Sequence, residues 1–233
     1  DRLSDRLTSR TRLLILNFPH NPTGAILSAA DLDTLTDVVR DTDCLLLSDE
    51  VYEHIIFDGE SHKSLLSHDE LWNRSIVIAS FGKTFHATGW KLGYCIAPPT
   101  LTVEFRKVHQ FTTFAVSTPM QCAVADFLDS HPEFYAELPA FYQKKRDRFC
   151  ELLAGSRFRL QPARSTFFQI LDYGAISDDD DLALAKRWTH DAGVASIPLS
   201  VFCEKPFTGT RLRFCFAKDD QTLEAAAEKL CAL

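Results

Sequence analysis

Three short segments of the chain carry polar groups that could act together in catalysis. Residues 17–24, 48–52 and 80–84 each follow an apolar run typical of a strand. Because ligands of α/β sheets gather beyond the carboxyl ends of the strands, we expect these segments to meet at one sheet edge. They would place an amide, a carboxylate with a phenol, and an amine beside one ligand. Taken alone, the first segment is explained as a turn, the second as a helix cap and the third as carrying a solvated lysine. Only the three segments together indicate a catalytic site.

Nucleotide binding is the first chemistry to test, because residues 82–84 read Gly-Lys-Thr, like the end of a phosphate-binding P-loop. A P-loop also needs a glycine five positions earlier, and that position is Val77, inside a predicted strand. Gly89 and Gly93 are separated by three residues and do not form a G-x-G-x-x-G dinucleotide fingerprint. The sequence therefore excludes both nucleotide-binding motifs in this region.

The polar motifs resemble those of one enzyme family. In chain order they are Asn-Pro-Thr-Gly at 21–24, Asp-x-x-Tyr at 49–52, Ser-x-x-Lys at 80–83 and Gly-x-Lys-x-Gly at 89–93. This set is similar to that of the pyridoxal-phosphate-dependent aminotransferases of class I and II, which have fold type I. Residues 80–91, 197–203 and 211–218 resemble the methionine and kynurenine aminotransferase subgroup in particular.

The resemblance implies an aminotransferase that moves an amino group between an amino acid and a 2-oxo acid, with pyridoxal 5′-phosphate as cofactor. The implied amino acid is methionine, kynurenine or another large apolar or aromatic one. A cysteine-S-conjugate β-lyase or another reaction on the same scaffold, or a catalytically silent fragment, remains as an alternative. The resemblance also implies a homodimer with a role in amino-acid metabolism and biosynthesis.

Four residues would act on the cofactor ring and the reacting atoms if the family's roles apply by position. Lys83 would bind the cofactor aldehyde covalently and later move a proton at the substrate Cα. Asp49 would pair with the pyridine nitrogen and keep it protonated. Tyr52 and Asn21 would hydrogen-bond the phenolic oxygen of the ring and so fix its orientation.

Further residues would hold the phosphate and the substrate. Ser80 and Lys91 would contact the phosphate, where a lysine supplies charge without the bidentate fork of an arginine. Arg213 would bind the substrate α-carboxylate, and Arg211, two residues away on the same strand face, is the competing candidate. Trp90 would line the pocket for the amino-acid side chain, as Phe81 and Phe85 also could, whereas Glu50 would satisfy a local backbone donor.

Two features depart from the family pattern. Ser165 stands where family members commonly carry a glycine, and a serine is strained if the backbone there has a positive φ. The chain begins with Asp1 rather than Met and lacks most of the region that precedes the Asn-Pro-Thr-Gly turn in full family members. We therefore expect an N-terminally truncated chain that keeps the lysine, aspartate and arginine but lacks part of the cofactor cradle.

Alternating strands and helices must position these residues in the first half of the chain. The apolar run at 13–16 is typical of a parallel strand buried on both faces, and Ser28 with Asp31 predicts the start of a helix. Further strands are predicted at 44–48, 76–79 and 92–97. This order predicts an α/β large domain with a mostly parallel sheet, over residues 1–143.

The second half predicts a smaller α+β domain over residues 144–233. A long amphipathic helix around 134–153 precedes short apolar segments, and the acidic run 177–181 is typical of a helix cap and first turn. A final helix is predicted to run through Leu230. Together with the resemblance, this pattern predicts a fold type I transferase whose large domain is partial.

Composition narrows the possible partners. With 233 residues and a net charge of −7, the chain lacks the basic surface that nucleic-acid binding requires, and no apolar run is long enough to cross a membrane. Its seven scattered cysteines include no C-x-x-C pair, so neither a zinc site nor any other metal site is expected. Cysteines in apolar runs, such as Cys44 and Cys215, are expected to be buried reduced thiols, which indicates a cytoplasmic protein.

Overall fold

The computed structural model of the chain describes residues 3–204 and 207–233, which form two compact units. Two short segments from the first half of the chain group with the second half. Unit 1 comprises Asp1–Pro19, Ile26–His54 and Glu60–Leu138, and unit 2 comprises His20–Ala25, Ile55–Gly59 and Pro139–Leu233. The domain boundary near residue 143 stays a prediction, because compact units need not coincide with domains.

Unit 1 contains a four-stranded sheet in the order β1-β2-β3-β4. β1 (Leu13–Asn17), β2 (Leu45–Asp49) and β3 (Ser75–Ser80) are parallel, and β4 (Gly93–Ile96) pairs antiparallel with β3. The predicted mostly parallel α/β sheet is therefore confirmed. Since parallel strands end at the same edge, the residues that follow β1, β2 and β3 begin there.

The prediction that the first strand is buried on both faces is wrong for the described residues. Leu13 and Ile15 are 45% and 64% exposed, whereas Leu14 and Leu16 pack against the core of unit 1. Alternate residues of a strand point to opposite faces, and α1 (Ala29–Val39) covers one of them. Leu13 and Ile15 point to the other face, which stays exposed among the described residues.

The predicted capping box of α1 is confirmed. Ser28 Oγ accepts a hydrogen bond from the Asp31 N–H at 3.2 Å, and the Asp31 carboxylate accepts one from the Ser28 N–H at 2.8 Å. The other helices that begin in unit 1 are α2 (Asp69–Trp72), α3 (Phe81–Thr84), α4 (Pro99–Thr112), α5 (Thr118–Ser130) and α6 (Phe134–Leu152), which continues into unit 2. Short 3₁₀ turns occur at Ser4–Arg6, Leu65–Ser67 and Thr88–Trp90.

Unit 2 contains an antiparallel four-stranded sheet. Its order is β5 (Arg159–Leu160), β6 (Phe168–Asp172), β8 (Arg211–Cys215) and β7 (Ile197–Pro198). The helices that begin within it are α7 (Asp181–Asp191) and α8 (Asp220–Cys231), with a 3₁₀ turn at Ser200–Phe202. The predicted acidic cap is confirmed, because Asp180 caps α7 through the Ala183 N–H and Asp181 lies in the first turn.

All seven cysteines lie within the described residues and are free thiols. Cys44 is buried as expected, but the prediction for Cys215 is wrong because this residue is exposed. Its side chain, at the end of β8, alternates with those of Phe214 and of Phe216 just after the strand, which are both buried. Among the described residues, no helix is long and apolar enough to cross a membrane, and no cluster of three or more potential metal ligands occurs.

Candidate active site

Asp49 and Tyr52 lie on a tight turn at the end of β2. Asp49 Oδ1 accepts a hydrogen bond from the Val51 N–H at 3.2 Å, and the Glu50 carbonyl accepts one from the Glu53 N–H at 2.8 Å. Tyr52 is 2% exposed, while Asp49 is half-buried. The turn therefore presents a partly accessible carboxylate at the strand end and a buried phenol three residues later.

Glu50, between these two residues, has partners that the sequence did not reveal. Its carboxylate accepts the expected backbone donor, but that donor is the Leu65 N–H at 3.2 Å, 15 residues away. It also accepts a hydrogen bond from Ser48 Oγ at 2.9 Å and lies 2.6 Å from His62 Nε2. Burial opposes ionisation of Glu50, but hydrogen bonds from His62, Ser64 and Ser48 outweigh it, so its pKa lies below the ordinary value.

Lys83 lies in the single helical turn α3 that follows β3. Ser80 Oγ caps this turn by accepting the Gly82 N–H at 3.1 Å, and it donates to the Leu92 carbonyl at 3.3 Å. The backbone approaches closely at Gly82, since a Cβ there would lie 3.0 Å from Thr88 Cα. A hydroxyl has one proton, so Ser80 would donate to a phosphate only by exchanging its bond to Leu92.

Aromatic side chains on either side of Lys83 join a cluster within unit 1. Phe81 and Phe85 stack with their ring centroids 5.8 Å apart. The further partners are Tyr94 for Phe81, and Phe127, Phe134 and Tyr135 for Phe85. This packing supports the turn that carries Lys83, and a role for these rings in a substrate pocket stays a prediction.

Trp90 and Lys91 lie at the surface of unit 1. Trp90 is 42% exposed at the end of the 3₁₀ turn Thr88–Trp90. Lys91 is also exposed and has a left-handed backbone with φ of 55°. Both side chains are accessible to a ligand, and their roles in binding stay predictions.

Unit 2 brings Asn21 and Arg213 together. Arg213 Nη1 donates a hydrogen bond to Asn21 Oδ1, and the guanidinium carbon lies 3.9 Å from the centroid of the Phe168 ring. Arg211 is instead opposite Asp172 in the register of β6 and β8. Of the two arginines, Arg213 therefore has the more closely held guanidinium group, because the Phe168 ring and the Asn21 amide both contact it. Asn21 thus belongs to unit 2, whereas the residues at the sheet edge belong to unit 1.

The Asn-Pro-Thr-Gly turn packs closely against the segment around Ser165 in unit 2. Gly24 has φ of 69°, and a Cβ there would lie 2.9 Å from the Ser165 carbonyl oxygen and 3.0 Å from Ala163 Cβ. Ser165 Oγ donates to the Gly24 carbonyl at 2.9 Å. Ser165 does not have a positive φ, so the condition for strain at this serine is not met; the positive φ of the segment, 66°, is at Thr166. The serine therefore fits this segment and contributes a hydrogen bond to it.

A known family matches almost the whole chain. The family described as "Aminotransferase class I and II" matches residues 1–230. The chain belongs to this family.

Individual relatives agree with this assignment. Methionine aminotransferase of Escherichia coli K12 is 48% identical over 224 residues, which are 96% of this chain and 58% of that protein. Kynurenine–oxoglutarate transaminase 1 of Rattus norvegicus is 32% identical over 249 residues, 98% of this chain and 59% of that protein. A crystal structure of an Escherichia coli protein with a methionine aminotransferase function matches with a TM-score of 0.96 and 47% identity, covering 100% of this chain and 61% of that one.

These matches establish the fold as that of the pyridoxal-phosphate-dependent aminotransferases of fold type I. The chain spans 58% and 59% of the length of the two relatives described. The family uses pyridoxal 5′-phosphate, and the donor set of unit 1 fits this group. Asp49 offers a carboxylate for a ring nitrogen, Lys83 an amine for an aldehyde, and Ser80 and Lys91 a hydroxyl and a cation for a phosphate.

Proposed function

We propose that the intact protein is a pyridoxal-phosphate-dependent aminotransferase that moves an amino group between an amino acid and a 2-oxo acid. The observation that carries the proposal is the sheet edge of unit 1, where Asp49 ends β2 and Lys83 follows the adjacent parallel strand β3. The amino acid is methionine, kynurenine or another large apolar or aromatic one. The names of the two relatives support this substrate class.

The cofactor, when bound, supplies an aldehyde that takes up amino groups and a ring that withdraws electrons. Lys83 would hold that aldehyde through its Nζ, and once the substrate amine has replaced it there, the freed Nζ would move the proton at the substrate Cα. The Asp49 carboxylate accepts the N–H of the ring nitrogen and stabilises its positive charge. The Tyr52 phenol donates to the phenolic oxygen of the ring, and its burial at 2% exposure supports a fixed orientation.

Ser80 and Lys91 bind the cofactor phosphate. Ser80 donates its hydroxyl in place of its bond to the Leu92 carbonyl, and the exposed ammonium of Lys91 supplies the opposite charge. A lysine makes a point contact where an arginine would make two parallel hydrogen bonds. We expect this phosphate contact to be sensitive to salt, because an exposed ion pair is screened.

Arg213 binds the substrate α-carboxylate, and its planar fork orients the Cα–H bond. Its stacking on Phe168 and its bond to Asn21 support this choice over Arg211. The Asn21 side chain has both an oxygen and an NH₂ group, so accepting from Arg213 is compatible with donating to the phenolic oxygen of the cofactor. Trp90, 42% exposed, contacts the apolar side chain of the substrate.

The intact protein also acts as a homodimer in the cytoplasm, in amino-acid metabolism and biosynthesis. The seven free thiols support a reducing compartment. The family assignment supports a role in amino-acid metabolism. The oligomeric state is checked directly by light scattering on the intact protein.

The test combines cofactor trapping with an activity assay on the intact protein. After incubation with pyridoxal 5′-phosphate and reduction with borohydride, mass spectrometry should locate the cofactor on the peptide that contains Lys83. Methionine and kynurenine, each with a panel of 2-oxo acids, should then exchange amino groups. Lys83→Ala should lose both results, whereas Lys107→Ala, which removes an exposed lysine of the same unit, should keep them.

Each negative result has a defined meaning. If borohydride fixes no cofactor on the wild-type protein, the aminotransferase proposal is wrong. If the cofactor is fixed but an S-conjugated cysteine releases pyruvate without amino-group exchange, the protein is a β-lyase instead. If Lys83→Ala remains active, the assignment of the catalytic lysine is wrong.

A further inference from the structure

Glu50 and His62 form a buried pair that the proposed chemistry does not use. Glu50 is 1% exposed, the His62 side chain is 16% exposed, and Glu50 Oε2 lies 2.6 Å from His62 Nε2. A buried carboxylate is costly unless it is hydrogen-bonded, and here Ser48 and the Leu65 N–H also donate to it. The Glu50 carboxylate is therefore buried with hydrogen bonds to both of its oxygens, one residue away from Asp49.

We propose that Glu50 and His62 are a positioning pair, which holds the turn of Asp49 and Tyr52 in the geometry that binds the cofactor ring. The inference rests on the proposed function, because the role of the turn depends on the cofactor. Neither side chain of the pair is assigned a contact with the cofactor or the substrate. They act through Asp49, which directly precedes Glu50, and through Tyr52, which follows it by two residues.

The first argument is the placement of Glu50 behind Asp49. Successive side chains of a strand point to opposite faces. Ser48 and Glu50 share one face, as their 2.9 Å hydrogen bond shows, so the Asp49 carboxylate points to the other. The Glu50 N–H also donates to the Ile78 carbonyl of β3 at 2.8 Å. The strand end that presents Asp49 is therefore held by both the backbone and the side chain of Glu50.

The second argument is that the turn begins at Glu50. The Glu50 carbonyl accepts the Glu53 N–H at 2.8 Å and so closes the turn that carries Tyr52. Asp49 Oδ1 accepts the Val51 N–H of the same turn at 3.2 Å. A displacement of Glu50 would thus move the carboxylate on one side and the phenol on the other. Displacements of about 1 Å in such a site can reduce rates by about 100-fold.

The third argument is that the other end of the pair is anchored in the core. Leu65 is 0% exposed, belongs to the apolar core of unit 1, and donates its N–H to Glu50 Oε1. His62 precedes it by three residues and reaches the second oxygen of the same carboxylate. Both carboxylate oxygens are therefore bound by the segment of residues 62–65, which is anchored in the core through Leu65.

The experiment measures cofactor binding by the intact protein carrying Glu50→Gln, His62→Gln or both. The dissociation constant for pyridoxal 5′-phosphate and the absorbance spectrum of the bound cofactor are recorded at equilibrium. We expect each single substitution to weaken binding about tenfold, as outer partners of metal ligands do. The double variant should bind no more weakly than the single ones, because both changes break the same pair.

Asp58→Asn is the matched control, because it disrupts a charged pair with Arg146 in unit 2. It should leave the cofactor dissociation constant and the spectrum unchanged. Amide exchange without cofactor should become faster at residues 49–53 in both single variants and stay unchanged there in Asp58→Asn. If Glu50→Gln does not fold, His62→Gln carries the test, because it changes the more exposed partner of the pair.

Two failures are distinguishable. A wild-type protein that binds no pyridoxal 5′-phosphate overturns the proposed function and this inference with it. A wild-type protein that binds it, with variants of unchanged affinity and spectrum, overturns the inference alone. Additive losses in the double variant also contradict it, since they would mean that the two residues act separately.

Discussion

The two units present the side chains that we propose for the active site in different ways. In unit 1, Asp49 and Lys83 come at or directly after the ends of adjacent parallel strands, so strand register brings them to one edge. In unit 2, Arg213 lies in the middle of an antiparallel strand, and Asn21, 192 residues earlier, fixes its direction. The first arrangement depends on the backbone of a sheet, whereas the second depends on the contacts of one side chain.

The pairs that Glu50 makes with His62 in unit 1 and Arg146 makes with Asp58 in unit 2 differ in the same sense. In unit 1 the carboxylate of Glu50 is the buried partner, and its side chain is 2% exposed. In unit 2 the Arg146 side chain is 4% exposed and binds the half-exposed Asp58, 88 residues earlier, with both nitrogens of its fork. Removing the buried member should cost most in each unit, because its space and hydrogen bonds cannot be replaced by water.

The largest expected effect is therefore on stability in unit 2. Arg146→Ala removes the partner of Asp58 and the donor to the Ala163 carbonyl, and it opens a gap beside Phe57. We expect a loss of about 3 kcal/mol in the free energy of unfolding. Calorimetry and amide exchange check it, and exchange should accelerate at residues 55–59.

Lys144→Ala is the control for this substitution, because it changes an exposed residue on the same helix. Its effect should stay within about 0.5 kcal/mol. Unchanged exchange at residues 55–59 in Arg146→Ala would show that the pair does not hold this segment. The expectation that the buried member of each pair contributes most to stability would then be wrong for unit 2.

The next effect is on catalysis by the intact protein. Arg213→Ala should lower kcat/KM for the amino acid about 100-fold, or about 2.7 kcal/mol, because the substrate carboxylate loses a bidentate partner. Arg213→Lys should fall between the wild type and this variant, since it keeps the charge but loses the fork. Steady-state kinetics with methionine and kynurenine measure both.

Arg211→Ala is the matched control, two residues away on the same strand. It faces Asp172 in the strand register, so its kcat/KM should change less than about threefold. A larger loss in Arg211→Ala than in Arg213→Ala would reverse the assignment of the substrate arginine. It would also remove the argument that stacking on Phe168 marks the functional side chain.

The same contrast explains what the sequence could predict. The strands of unit 1 and the α1 cap could be predicted because apolar runs and capping residues act over a few positions. The partner of Asn21 could not, because nothing local links residues 192 positions apart. His62 was missed for the same reason, since it follows Glu50 by 12 residues without a motif.

The sequence patterns also failed to predict which side chains of a strand are exposed. The run at residues 13–16 predicts a strand correctly, but its composition does not reveal which faces are covered in the described chain. Leu13 and Ile15 are exposed because α1 covers the opposite face. At Ser165 the sequence left open whether the backbone has a positive φ, and the structure places the positive φ of this segment at Thr166, one residue away.

A smaller effect is expected on the stability of the protein at acidic pH. The pKa of Glu50 is lower in the folded protein than its ordinary value of 4.5, because hydrogen bonds outweigh the effect of burial. Its contribution to stability is therefore complete above about pH 4.5 and is lost as the pH falls through the lower, folded value. Glu50→Gln should cost about 1–2 kcal/mol at pH 7, and this difference from the wild type should shrink on acidification.

Urea unfolding at pH 7, 4 and 3 measures the change, with Asp58→Asn as the comparison in unit 2. The pKa of Asp58 is also lowered, by its hydrogen bond to Arg146, but its side chain is 49% exposed. The acid sensitivity removed by Asp58→Asn should therefore be the smaller one. A Glu50→Gln deficit that stays constant from pH 7 to pH 3 would contradict the charged state of Glu50 in the fold.

The smallest effects are expected at the helix caps, one in each unit. Ser28→Ala removes the acceptor for the Asp31 N–H, and Asp180→Ala removes the acceptor for the Ala183 N–H. Each should cost about 1 kcal/mol, since the freed N–H groups are exposed and water replaces part of the lost bond. Neither should change the affinity for pyridoxal 5′-phosphate, because a cap stabilises its own helix without touching the turn of Asp49 or the fork of Arg213. A cap variant that weakens cofactor binding as much as Glu50→Gln would mean that binding follows general stability, and the special role of the strand end in unit 1 would have to be given up.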